Sequence, residues 1–110
     1  MKTFLLAASA LLLALHPAAA PAQTVHENKI VADLIEDGTR ACLFFQLDGV
    51  SSADPAAPAV WFAVPRTHMA FSELFAMLLT ARILQLPIRV NTTGTVSCGF
   101  ATVDGITIHG

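Results

Sequence analysis

Short apolar runs separated by turn-forming residues set the predicted elements of this chain. Residues 29–36 (Lys-Ile-Val-Ala-Asp-Leu-Ile-Glu) are a mostly apolar run closed by Asp37-Gly38, which predicts a strand and a tight turn because Asp-Gly supplies positive φ. Residues 40–48 carry Leu43, Phe44, Phe45 and Leu47 and predict a second strand, closed by Asp48-Gly49. Ser51, Ser52, Asp54, Pro55 and Pro58 then favour a long loop over any regular element. Residues 60–64 (Val-Trp-Phe-Ala-Val) predict a third strand, stopped by Pro65, which has no N–H to give to a ladder. The polar stretch 23–28 ahead of these strands reads as a loose arm.

The period changes between residues 70 and 86. Phe71, Leu74, Phe75, Leu78 and Leu79 recur at three- and four-residue spacing and predict an amphipathic helix with these five residues as its core arc. Thr67 or His68 is its expected cap, Glu73 suits the positive end of the helix dipole, and Pro87 bounds the far end. Residues 88–93 predict a fourth strand, Gly94 a turn, and residues 96–108 a fifth strand with a break near Asp104-Gly105. Three strands, one helix and two strands make a mainly β domain with one helix. The expected fold is a small five-stranded Greek-key barrel, the OB-fold, with its helix between strands 3 and 4.

That core arc leaves Ala76, Met77, Ile83 and Leu84 on the other side of the helix, among Ser72, Glu73 and Thr80. A single face cannot bury them all. Met77, Ile83 and Leu84 are therefore assigned to a homo-oligomer interface, assisted by strand edges whose unpaired N–H and C=O groups invite a neighbour.

Composition changes this picture at the N-terminus. Hydrophobic residues make up 55 % and charged residues 13 % of the 110, and part of that excess lies in residues 1–22, which read as a secretory signal peptide. Lys2 gives the positive start, residues 4–15 the apolar stretch, and small residues follow. Ala20-Pro21-Ala22 sets cleavage before Gln23, leaving residues 23–110, or 88 of the 110, as one domain. The apolar stretch is too short to span a membrane, which takes about 20 residues. The chain is expected to be secreted or periplasmic. Without Lys2, five bases face eight acids, a net charge of −3, with no basic cluster for nucleic acid.

Cys42 and Cys98 are the two cysteines of the sequence, and an oxidising destination predicts a disulfide between them. No metal or other cofactor is expected, since His26, His68 and His109 stand far from one another and from the cysteines, without the close ligand spacing of a zinc site.

Several stretches of the sequence resemble the B subunits of pentameric bacterial A–B toxins of the subtilase cytotoxin type. They are Cys42-Leu-Phe, Ala59-Val-Trp-Phe-Ala-Val64, Phe71-Ser-Glu-Leu-Phe75 and Pro87-Ile-Arg-Val90, within a region of about half the chain. The resemblance implies an OB-fold ring of five that binds cell-surface glycans and carries a separate toxic A subunit. Where such subunits place a sugar-contacting serine before the first strand, this chain has His26-Glu27-Asn28. Where some carry a cysteine in the third strand, it has Ala63, and Cys98 serves as the partner of Cys42.

Candidate ligand residues are His26, Glu27 and Asn28, whose donors and acceptors suit a sugar, with Arg66 and His68 beside the aromatic pair Trp61-Phe62. Alternation puts Trp61 and Phe62 on opposite faces, so only one can enter the core. Pieces of a hydrolytic triad exist in Ser97, His68 or His109, and Asp104, but no nucleophile motif surrounds Ser97, and no catalysis is assigned. Asn91-Thr92-Thr93 matches the N-glycosylation pattern and is given no role. The expected function is a secreted non-enzymatic binding subunit. The alternative is a stand-alone periplasmic or envelope protein, an interaction or structural module with no sugar site.

Overall fold

The structure, a computed structural model, describes residues 23–36 and 38–109. The expected signal segment, its expected cleavage site and Asp37 of the expected Asp37-Gly38 turn lie outside the described residues. Six strands and one helix follow in the order β1 (Val25–Lys29), β2 (Val31–Glu36), β3 (Cys42–Leu47), β4 (Trp61–Pro65), α1 (Phe71–Leu84), β5 (Ile88–Ser97) and β6 (Phe100–Ile108). They form one sheet in the order β1-β5-β6-β4-β3-β2. All neighbours are antiparallel except β4 and β6, which pair in parallel at Phe62↔Ala101 and Ala63↔Thr102.

The strand count is six rather than five, and the helix therefore follows the fourth strand instead of the third. The cause lies at the N-terminus. Residues 25–28, expected within a loose arm, form a strand together with Lys29 against β5, with Val25↔Asn91 and Lys29↔Ile88 in register. Asn28 then takes a φ of 55°, a left-handed conformation that Asn tolerates better than most residues, and the chain turns into β2. Only Ile30 separates the two strands, yet they lie at opposite ends of the strand order. The two ends of the sheet thus meet at one corner, and the sheet wraps around its core.

The final hairpin also differs from expectation. Gly94 does not turn the chain; its φ of 80° falls within β5, where the register with β6 shifts between Thr92 and Val96. The turn is made by Cys98 and Gly99, with φ of 53° and 85°, between the paired residues Ser97 and Phe100. Positive φ at both central residues is the two-residue turn whose twist suits a hairpin. Gly38, by contrast, is not in the left-handed region, and β2 and β3 are joined by the longer segment 37–41.

The core is built by alternation. Leu43, Phe45 and Leu47 of β3, Phe62 and Val64 of β4, Ile88 and Val90 of β5, and Ala101 and Val103 of β6 point inward and are buried. Phe45 and Phe62 stack with centroids 5.0 Å apart. Leu74, Leu78 and Ala81 of α1 are buried against this core, and Phe71 and Phe75 pack partly against it. Leu79, placed in the core arc by the periodicity, is 41 % exposed, and Ala81 occupies the inward position instead.

His68 sets the start of the helix, though not as its N-cap. Ala70 holds that position, and its N–H donates to His68 Nδ1 at 3.0 Å. The other ring nitrogen, Nε2, then carries the proton and donates to the carbonyl of Asp104, also at 3.0 Å. The imidazole thus ties the helix start to β6. The helix ends at Leu84, followed by Gln85 in the left-handed conformation and then Pro87.

Candidate functional site

The outward positions of the same strands carry a second apolar cluster. Cys42 and Phe44 of β3 and Ala63 of β4 are buried on this face, with Trp61 and Phe100 packed against them. The register explains the grouping, since Phe44 pairs with Ala63 and Gln46 with Trp61. A small alanine in the middle strand leaves room for the larger rings around it. Phe44 and Phe100 meet edge to face at 5.5 Å, and the Arg40 guanidinium lies over the Phe44 ring at 5.4 Å from its centroid.

These side chains border a cleft of about 330 Å³ lined by Ile35, Arg40, Phe44, Trp61 and Phe100. Its walls are aromatic and aliphatic, with a guanidinium at the rim. Ring faces flanked by a few polar donors are a general way to bind a small ligand and fix its orientation. The Cys42–Cys98 disulfide, with Cα atoms 6.4 Å apart, crosses the same face and fixes the tip of the β5–β6 hairpin to β3.

The residues expected to contact a ligand do not line this cleft. His26 is half-buried on β1, where its Nε2 bonds to the carbonyl of Ala53 at 2.7 Å and its ring meets Phe62 edge-on at 5.2 Å. Glu27, the next residue, is exposed and faces Arg89 Nε at 3.0 Å and His109 Nε2 at 3.6 Å. Asn28 is exposed at the β1–β2 corner. Arg66 pairs with Glu36, lies over the Phe71 ring at 5.6 Å and donates from Nε to the Arg40 carbonyl at 3.4 Å. It thereby touches the backbone of a cleft-lining residue, Arg40. His68 is committed to the helix start. Ser97, weighed as a nucleophile, shares a hydrogen bond with the Thr102 hydroxyl at 2.6 Å.

Of the three interface candidates, Ile83 and Leu84 are 69 % and 61 % exposed, while Met77 is half-buried.

Sequence reasoning singled out Trp61 but missed Ile35, Arg40, Phe44 and Phe100. A signal for one of them, Phe44, was present in the alternation beside that for Trp61. Phe44 and Trp61 both fall on the strand phase opposite the core residues, where a solvated face would carry polar side chains.

A separate polar cluster anchors the loop between β3 and β4. Ala53 and Asp54 of that loop are buried. The Thr92 hydroxyl donates to Asp54 Oδ2 and accepts from the Thr24 N–H at 3.0 Å, while the Ala56 N–H donates to Asp54 Oδ1 at 2.8 Å. Burial pushes the Asp54 pKa up, but the hydrogen bonds from Thr92, Ala56 and the Thr24 hydroxyl, with His26 nearby, outweigh it and hold the carboxyl below its ordinary value. The long loop is thereby pinned to β1 and β5.

No known family model matches this chain, and no curated protein matches it.

Proposed function

We propose that this chain is a secreted, non-enzymatic binding subunit that takes a carbohydrate in the cleft of Ile35, Arg40, Phe44, Trp61 and Phe100. The observation that carries the reading is the half-buried Trp61 beside Phe44 and Phe100. A sugar ring has an apolar face that stacks on an aromatic plane, while its hydroxyls accept from a guanidinium.

Strand topology supports the placement. Taken as two halves of one bent strand, β1 and β2 reduce the count to five, and the helix then falls between the third and fourth strands. That count is the one an OB-fold reading expects. OB-folds bind oligosaccharides and oligonucleotides on the face of strands 2 and 3 and the loops beside it. On this count that face is β3 and β4, where the cleft lies. The absence of a basic cluster argues for the sugar over nucleic acid.

The resemblance to toxin B subunits supports a homo-oligomer, a ring of five, serving a separate A subunit. The exposed Leu79, Ile83 and Leu84 of α1 supply an apolar surface for such assembly. The disulfide is compatible with a secreted or periplasmic location, as is the lack of any described helix long and apolar enough to cross a membrane.

A glycan array probed with the mature oxidised protein tests this reading, followed by titration of each hit against Trp61 fluorescence, which is unambiguous because Trp61 is the one tryptophan of the sequence. Saturable binding that Trp61→Ala abolishes is the expected result. An array without hits, or hits that Trp61→Ala leaves unchanged, overturns it.

A further inference from the structure

We infer that the Cys42–Cys98 disulfide sets the shape of the cleft, so that the site exists in the oxidised protein and is dismantled when a dithiol reduces the bond. The inference rests on the cleft being the binding site, and its test reads the cleft without a ligand.

Phe100, one of three aromatic residues of the cleft, is the first residue of β6 and follows the two-residue turn Cys98-Gly99. Beyond its own hairpin partner β5, β6 is joined to the sheet only by its parallel pairing with β4 at Phe62↔Ala101 and Ala63↔Thr102. That pairing begins after Phe100. The tip itself is held on the outer face by the packing of Phe100 on the cluster of Cys42, Phe44 and Ala63, edge to face with Phe44, and by the disulfide from Cys98 to Cys42. The disulfide reaches across β4 to a strand that does not pair with β6. Cys42 and Phe44 point to the same face of β3, so the bond and the ring contact clamp one patch of sheet.

The main core does not depend on this clamp. Phe45, Phe62, Val64, Val90 and Val103 are buried on the opposite face and form a cluster without either cysteine. Cutting the bond therefore releases the tip and Phe100 while the rest of the barrel wall stays packed.

The chemistry balances with a dithiol as reductant. Cys98 is exposed and Cys42 is 1 % exposed, so a thiolate of the dithiol attacks the Cys98 sulfur and Cys42 leaves, taking up a proton. The second thiol of the reagent then displaces Cys98. Two electrons and two protons pass to the protein, and the reagent becomes its own disulfide.

The test compares oxidised mature protein with the same protein reduced by dithiothreitol, and with the double variant Cys42→Ser/Cys98→Ser. Amide hydrogen exchange and acrylamide quenching of Trp61 are measured on all three. Exchange at residues 99–102 is expected to rise roughly tenfold or more on reduction, with residues 43–47 and 88–92 still protected. Trp61 quenching is expected to rise with it, and the double variant to match the reduced protein. Unchanged exchange at 99–102 overturns the inference, as does unchanged Trp61 quenching. Loss of protection throughout the domain overturns it as well, because the bond is then a global staple rather than a clamp on the cleft. An empty glycan array sinks the binding reading and leaves these measurements to decide the clamp.

Discussion

The hydroxyl of Thr92 donates to the carboxylate of Asp54, 38 residues away, at a point where the two residues are 0 % and 2 % exposed. A β5 side chain thus closes a loop that its own sequence marks only as irregular. Thr92→Val keeps the shape and removes the donor, leaving a buried carboxylate short of one hydrogen bond. Hydrogen bonds to charged groups contribute about 1.5–3 kcal/mol, and the variant is expected to lose that much stability in urea unfolding. A midpoint equal to that of the parent protein refutes the anchoring role.

The same carboxylate sets an acid limit. Its folded pKa lies below the ordinary value, so its contribution to stability is fully present above the unfolded pKa and is lost as pH falls through the folded one. The window lies below about pH 4. Asp54→Asn is expected to be less stable at neutral pH and to show a shallower loss of stability in that acid range. Parallel pH profiles for parent and variant are the contrary result.

Trp61 and Phe62 are neighbours with opposite duties. Phe62 is fully buried and stacks on Phe45, so Phe62→Ala is expected to cost about 3–5 kcal/mol. Trp61 is half-buried on the outer face, and Trp61→Ala is expected to cost about 1–2 kcal/mol while abolishing glycan binding. Chemical denaturation and glycan titration on both variants separate the two roles, and equal destabilisation contradicts the division of faces.

Leu79 and Ile83 lie one helical turn apart and are both exposed. In the proposed oligomer they are covered, so Ile83→Glu is expected to reduce the mass seen by light scattering to that of one chain, without loss of helix by circular dichroism. A parent protein that already runs as a single chain rejects the assembly.

Much of this architecture is legible in the sequence because strands and helix carry their periods openly. Residues 43–47 and 61–64 needed only a β-favouring apolar run, and residues 71–84 only three-and-four spacing, to be placed. The errors share a physical cause. At Asn28, Gly94 and Cys98 the backbone adopts positive φ, and the sequence does not say which of several Gly and Asn positions will turn the chain and which will only bend or bulge it. Leu79 and Ala81 exchange places because the rotation of a helix on its core is settled by packing against β2 and β6. The cleft was half visible, in the outward aromatic residues Phe44 and Trp61. Arg40 and Ile35 joined it only through the strand register. Two of the polar residues expected to meet a sugar, His26 and His68, each bond to a backbone carbonyl in the folded chain.

The corner at Ile30 also orders the folding of this domain. β2 pairs with β3 across the short connection 37–41, whereas β1 pairs only with β5, so that Val25 waits for Asn91. Closing the longer loop costs more chain entropy and comes after the local hairpin. Two strands separated by one residue therefore belong to opposite ends of the folding reaction. In pulse-labelled refolding, the amides of 43–47 are expected to gain protection early and those of 25–29 last, and simultaneous protection would show that the sheet forms in a single step.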